Sequence, residues 1–578
     1  MNKFKSLFFF TAAIIIMAAC EKDINGQVVP PPSSENDKDR VENINGTAID
    51  KKSNIAGLIL NSETGIGISG VPVTDGYTYT VTDNNGVYQM KANRYCRNVY
   101  YSLPSEYKTT LDKSTHLPLF YSTKKISYKE FNRVDFELQP KSENEDNFTY
   151  VGIGDPQCKN ASDAGRYVNE TVADIVNFLN EKQSQGKYMN VYGMTLGDII
   201  HDTPDLWNTM KKTMSNVSLK DGRYIPFYQT IGNHDFDPRE STQYNATKEY
   251  CNTFGPTDYS FNVGKVHIVT MNDVVCKTTN GKTWSIDSGF SSAQVRWLRE
   301  DLSYVKNKED KMIILNVHVP FRNGTAKGGS LVNTDKYYDE VLSLLTDFKE
   351  AHIMAGHRHF SQNWVHKNRK CKGGKPIYEH ILAAACGSFW CCDSNLDGSP
   401  NGYSVFEIEG NTMKNWKAKG SNHPEDFQMR IYDGNQIFSG TKHYSYSWYA
   451  GGNGGSANIL AKGQDYLAGA FVAEIWNSDD MFWKVEFFQN GQKVADMKRV
   501  PEGVLSNACA TSFYFNEKNK NAAIYAIAEA SHYWYYKPVS ERPSNERNWE
   551  VVAAQTIPSS NEVNVYRSSV FQTDYTGF

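Results

Sequence analysis

Cysteine, long apolar runs and surplus positive charge are all scarce in this chain, and each shortage removes a class of protein. Ten cysteines among 578 residues are spread too thinly for a disulfide scaffold, which a chain of this size does not need. No cysteine pair has metal-ligand spacing, so a thiolate-bound structural zinc or iron–sulfur cluster is not the organising feature. The apolar stretch Leu7–Ala19 falls short of the ~20 residues that cross a bilayer as a helix. Lysine and arginine number 61 against 65 aspartates and glutamates, a formal net charge of −4, so no basic surface points to a nucleic-acid polymer.

What the chain does have is oxygen and nitrogen donors in five ordered blocks: Asp155-Pro156-Gln157, Gly197-Asp198, Gly232-Asn233-His234-Asp235, His318 and Gly356-His357-Arg358-His359. Carboxylates, amide oxygens and neutral imidazoles suit divalent ions such as Mn, Fe, Zn, Ni or Co. Two such ions need a bridging carboxylate, a shared water and open positions for substrate oxygens, the arrangement used for in-line displacement at phosphorus. Metal-assisted hydrolysis of a phosphate ester is therefore the chemistry expected.

Each block follows an apolar run. Strands are expected at Tyr150–Gly154, Tyr188–Tyr192, Lys311–Val317 and Ala351–Ala355, with Gly154, Gly197, Gly232 and Gly356 permitting tight turns beside the donors. Asp163–Leu179 and Ser292–Leu302 carry apolar residues at three- and four-residue spacing and are expected helices. Strands alternating with helices predict a layered α/β domain whose site lies at the carboxyl ends of its strands.

On these five blocks the chain resembles the calcineurin-like metallophosphoesterases over residues 148–415. The resemblance implies a four-layer αββα sandwich and assigns the ligands: Asp155, Gln157, Asp198 and His359 for one metal; Asp198, Asn233, His318 and His357 for the other, with Asp198 as the bridge. Gln157 departs from the histidine usual in the first block and offers a carbonyl oxygen instead. His234 is the expected non-ligand group that stabilises the phosphoryl group or protonates the leaving oxygen, and Asp235 is expected to orient it through its other ring nitrogen. Asp202, four residues beyond Asp198, is a candidate to accept a hydrogen bond from a metal-ligating histidine. Arg322 and Asn323 are candidates for the phosphate's peripheral oxygens. Trp390, Asp393 and Asn395 either shape the approach of substrate or belong to a surface loop. His267 and His352 lie in strand patterns and read as packed residues. A Cys371 bridge to Cys391 or Cys392 is an open possibility.

Lys3 and Lys5 precede the apolar stretch, and small residues lead to Cys20. This resembles a bacterial lipoprotein signal peptide over residues 1–19, with lipid on Cys20 and a polar, flexible tether over 20–50. The expected location is the bacterial cell envelope, lipid-anchored and outside the cytoplasm. Residues 51–140 hold short alternating segments broken by Gly, Pro and Asn-Gly turns. They predict an N-terminal β-sandwich resembling transthyretin-like or carboxypeptidase-regulatory-like domains. Residues 420–578 read as a C-terminal all-β domain, its Trp476, Trp483 and Tyr533–Tyr536 serving either as packing or as a ligand-stacking platform. Two functions are set against each other: a binuclear-metal phosphohydrolase acting on a monoester or diester, and a lipid-anchored carbohydrate- or protein-binding scaffold, making contacts through its β-domains around a vestigial core.

Overall fold

A computed structural model describes residues 40–214, 217–279, 283–322, 337–390, 393–395, 397–435, 467–479, 481–500, 532–540 and 548–572. Two mixed sheets form its centre. In the first, strands lie in the order Phe227–Thr230, Val191–Leu196, Asn147–Ile153, Gly402–Glu409, Thr412–Gly420. The first three of these are parallel. Parallel neighbours end on the same side, which brings the segments that follow them, at Asp155, Asp198 and Asn233, to one edge. The second sheet has the order Tyr259–Val263, Val266–Thr270, Met312–Asn316, Glu350–Ala355, Pro376–Ile381, Gln362–Lys370. Its four inner strands are parallel, so His318 and His357 follow adjacent carboxyl ends. One apolar cluster takes Tyr150, Met194 and Phe406 from the first sheet and Ile314 and Ile353 from the second. On the other side of the first sheet, Val151 and Ile153 pack with Tyr167, Ile175 and Leu179.

The elements differ in extent from the sequence expectation. The second strand is not Tyr188–Tyr192 but Val191–Leu196, buried along its whole length. Gly193 makes a strand look broken in sequence, yet a Cβ there would lie 2.2 Å from the Phe227 ring, so the flush packing of the neighbouring strand requires glycine. The first helix is longer than Asp163–Leu179: Ala161–Tyr167 continues through one π turn, Val168–Val172, into Ala173–Ser184. Asn160 caps it by accepting from the Ser162 and Asp163 amides. The edge strand Thr412–Gly420 runs past residue 415.

Among the described residues the flanking regions are built mainly of β-strands. Residues 55–138 form two small sheets, one built on Ile55–Asn61 and one on Pro72–Thr74. The short strand Pro72–Thr74 follows Gly67, which is pressed against the Asn85 carbonyl. This region is seated on the centre: the Tyr79 hydroxyl donates to Asp301, and the Tyr100 hydroxyl to the Asp258 carbonyl. The flexible tether expected up to residue 50 needs correction. Asn43–Ile44 pairs with Thr47–Ala48, and Ile44 and Ile49 pack on Ala56, Val87 and Phe131, so the fold begins by Arg40, whose guanidinium donates to the Asp50, Lys51 and Ser53 carbonyls. Cys20, Asn323, Cys391 and Cys392 lie outside the described residues; Cys371 is a buried thiol. Among the described residues of the C-terminal region two four-stranded sheets enclose their own core. Trp476, Trp483, Tyr533 and Trp534 are buried, which favours packing for these four, while Tyr535 and Tyr536 are half-buried.

His423 sits where the centre meets the C-terminal region, stacked on Phe427 at 4.4 Å. Burial, with Arg430 and Lys419 nearby, holds its imidazole down to about 4. A group depressed in the folded state stabilises fully above its unfolded pKa, and that contribution is lost as pH falls from about 6.5 through 4. The loss amounts to at most about 3 kcal/mol. Denaturant unfolding at pH 7.5 and pH 5 is expected to show lower stability at pH 5, and His423→Gln to flatten the difference. An unchanged pH dependence in that variant would remove His423 from the account.

Candidate metal centre

The expected donors meet at the strand ends, and the backbone is bent to bring them there. Asp155, Gln157, Asp198, His357 and His359 have φ of 41°, 41°, 48°, 68° and 51°, a left-handed conformation that costs non-glycine residues free energy unless the surroundings impose it. The glycines beside them are forced by crowding. A Cβ on Gly232 would lie 2.1 Å from the Asp198 amide nitrogen, on Gly356 2.6 Å from Asp155 Oδ2, and on Gly197 2.6 Å from His318 Nδ1.

One half of the site is tight. His318 Nε2 lies 3.0 Å from Asn233 Oδ1, 3.3 Å from Asp198 Oδ1 and 3.2 Å from His357 Nδ1. His318 Nδ1 bonds the Leu196 carbonyl at 2.7 Å, which fixes the ring and directs Nε2 at the other donors. Four acceptor atoms at such separations hold together only around positive charge. Burial alone would lower His318, yet Asp198 raises it to about 10. His357 and His359 are held down to about 3 and about 4, chiefly by burial, and so are neutral and competent to ligate at physiological pH. The donor set thus fits a divalent cation.

The other half is looser. Asp155 is fully buried, both its oxygens accept from the His357 amide, and its Oδ1 is 3.7 Å from His359 Nε2. Burial first, and the Asp198 charge with it, raises its carboxyl. Gln157 does not stand as expected: its Nε2 donates to Asp198 Oδ2 at 3.1 Å, and its carbonyl oxygen lies 3.8 Å from Cys386 Sγ. A ligand role for that carbonyl requires the amide to turn over. Cys386, 3.7 Å from His359 Nδ1, is the neighbour that sequence reading missed, because nothing in its local pattern ties it to the Asp155 block.

His234 is present beside the donors, but its partner is not Asp235. The Asp202 carboxylate meets His234 Nδ1 at 3.0 Å, whereas Asp235 is buried with its oxygens taken by the Ile199, Ile200 and Gly232 amides. Asp235 therefore braces the two loops, and Asp202 orients the ring. Burial would lower His234; the Asp198 charge and the Asp202 bond outweigh it and raise it to about 9. His201 stands 4.3 Å from His234, ring to ring, and with Asp202 forms a second, more exposed group of donors.

The expected substrate contacts are corrected. Arg322 is buried, its guanidinium 3.7 Å from the Trp364 ring centre and its amide on Glu379, so it braces the loop after His318. Trp390 is buried and donates to the Pro156 carbonyl, Asp393 pairs with Arg166 at 2.7 Å, and Asn395 accepts from the Ala384 amide and donates to the Pro400 carbonyl. These groups are spent on holding loops. Phe389 instead approaches the site, 4.7 Å from the His359 ring and 5.8 Å from His201, with φ of 53°. His267 and His352 are packed residues, bonded to Asp301 and Glu350. The C-terminal region also reaches the site: Ser361, two residues after His359, donates to Asn477, and its carbonyl faces His532 Nδ1 at 3.3 Å.

Three family models match in succession: residues 53–141 the N terminal of Calcineurin-like phosphoesterase, 148–361 Calcineurin-like phosphoesterase, and 379–557 the C terminal of Calcineurin-like phosphoesterase. No curated protein matches the chain. Among solved structures, a purple acid phosphatase from yellow lupin (Lupinus luteus) seeds is similar at 13% identity and a TM-score of 0.33, over 47% of this chain and 50% of that one. The NAD nucleotidase of Haemophilus influenzae is similar at 12% and 0.26, over 48% and 49%. A protein serine/threonine phosphatase from Saccharomyces cerevisiae is similar at 12% and 0.21, over 49% and 82%. The chain spans about half the length of the first two.

Proposed function

We propose that this chain, which belongs to the calcineurin-like phosphoesterase family in its three-part layout, is a metal-dependent phosphohydrolase, exported and held to the cell envelope by lipid on Cys20. The observation that carries the catalytic part is the convergence of Asp198, Asn233 and His357 within 3.3 Å of His318 Nε2, with His234 at their side. Two divalent transition metals would be the cofactors: Asp155, Gln157, Asp198 and His359 would hold one, and Asp198, Asn233, His318 and His357 the other. A four-layer αββα core and an N-terminal β-sandwich are the arrangement we favour for the two sheets and their helices.

Such ions supply a nucleophile at neutral pH and neutralise charge on a phosphoryl group. The protein's own part falls to its side chains. Asp202 takes one ring N–H of His234, so the protonated ring keeps Nε2–H for the leaving oxygen or an equatorial phosphoryl oxygen. Asp235 ties the Asp198 and Asn233 loops together, and Phe389 and Trp390 close one side by packing on His359 and Pro156. Substrate is a phosphate ester, monoester or diester.

The test is a screen of purified, metal-loaded protein against phosphomonoesters, phosphodiesters, pyrophosphates and phosphopeptides; inactivity on every class with several metals would defeat the reading. Asn233→Ala is expected to weaken one metal and to lower activity through occupancy, with excess metal restoring part of the rate. A deficit untouched by metal would mean that Asn233 acts otherwise. For the anchor, native protein should fractionate with membranes and Cys20→Ala should be released or fail to mature, since two or more acyl chains hold a protein firmly. Membrane association unchanged by that substitution would refute lipidation.

A further inference from the structure

A cleft of about 970 Å³ lies between the N-terminal and catalytic regions, and none of the metal-centre residues line it. Arg94, Arg97, Lys124 and Lys125 come to it from the first region and Lys211 and Lys248 from the second. Six cations thus face two carboxylates, Asp112 and Glu130. Asp112 is already engaged, its Oδ1 accepting from the amides and hydroxyls of Ser114 and Thr115. Lys248 has only a loose, exposed pairing with Glu249 at 3.8 Å, too weak to cancel it.

The arginines carry the second observation. Arg97 lies 3.9 Å over the Tyr244 ring, donates through Nη2 to the Tyr244 carbonyl and is also engaged by the Cys251 thiol. Arg94 lies 5.1 Å over the Tyr95 ring and leaves Nη1 buried without a hydrogen-bond partner. Buried polar groups are rarely left so, because the lost hydration is uncompensated. A smaller cavity of about 270 Å³ shares Arg97 and Tyr244 and adds Tyr77 and Tyr95.

We propose that this interdomain cleft binds a ligand of saccharide size carrying several phosphate or sulfate groups. Arg94 and Arg97 bring guanidinium charge to the cleft wall and four lysines supply more, a setting that suits oxyanions, while Tyr121 and Tyr128 line the same wall. The cleft lies at the upper end of small-molecule sites, about 300–1,000 Å³, too large to be built for one phosphate. Because its walls come from both regions, the ligand clamps the N-terminal region onto the catalytic one. The inference does not depend on hydrolysis at the metal centre.

The test is calorimetric titration of full-length Asp198→Asn protein, in which the metal centre is disabled, with sucrose octasulfate, inositol hexakisphosphate and neutral sucrose. Saturable binding of at least one polyanion and none of sucrose is expected, and the stronger of the two names the anion. Adding Arg94→Gln with Arg97→Gln should weaken binding at least about tenfold, the effect of a lost charge-assisted bond. Adding Lys124→Gln with Lys125→Gln, both exposed, should weaken it about two- to fivefold and flatten its salt dependence; this pair decides the matter if the arginine variant does not fold. Absence of polyanion binding, or equal affinity in the variants, overturns the proposal.

Discussion

Replacing His234 by alanine is expected to lower turnover by about 10²–10⁴-fold, the range for losing a positioned acid–base group, while both metals stay bound. The ring stands next to the donors but is held by Asp202 rather than spent as a ligand, and its Nε2 is the atom left for substrate. The effect should fall on kcat more than on KM, because the interaction forms as charge develops on the oxygens. Steady-state kinetics together with metal analysis of the same sample decide it: a variant that loses a metal along with its rate would show His234 to be a ligand.

Asp198→Ala is expected to abolish activity and to empty the site of metal. Asp198 is buried at the meeting point of every donor, 3.3 Å from His318 Nε2 and 3.1 Å from Gln157 Nε2, and accepts the His234 amide at 2.8 Å. His318, His234 and His357 overcome its burial and hold its carboxyl far below the usual range, so it is a carboxylate at any physiological pH. The loss should exceed the roughly 10²–10³-fold typical of one electrostatic donor, because the bridge, both metals and the His234 amide contact go together. Retention of two ions per chain in this variant would contradict its bridging role.

The site was legible in the sequence where chemistry and chain direction coincide. Asp155, Asp198, Asn233, His318 and His357 each follow an apolar run, and parallel strands carry such positions to a common edge. Partnerships between loops were not legible. Asp202 and Asp235 are equally plausible neighbours of His234 in sequence, and only the bend at Asp202, with φ of 53°, decides between them. Arg322 looks available for phosphate because its stacking partner, Trp364, lies in a different strand. Gly193 hid a strand that its own lack of side chain makes possible, and Cys386, Phe389 and the Asn477–Ser361 contact belong to segments distant in sequence. The ordered hairpin at Asn43–Ala48 was masked by a polar composition that buried Ile44 and the adjoining Ile49 override.

Anomalous diffraction from crystals of the metal-loaded protein, with elemental analysis of the same preparation, tests whether Asp198 joins two divalent ions. Two peaks roughly 3.5–4 Å apart are expected, with Asp198 between them, Asn233, His318 and His357 on one and Asp155, His359 and a turned-over Gln157 amide on the other. A single ion in the tight half, or two ions that do not share Asp198, would contradict that expectation.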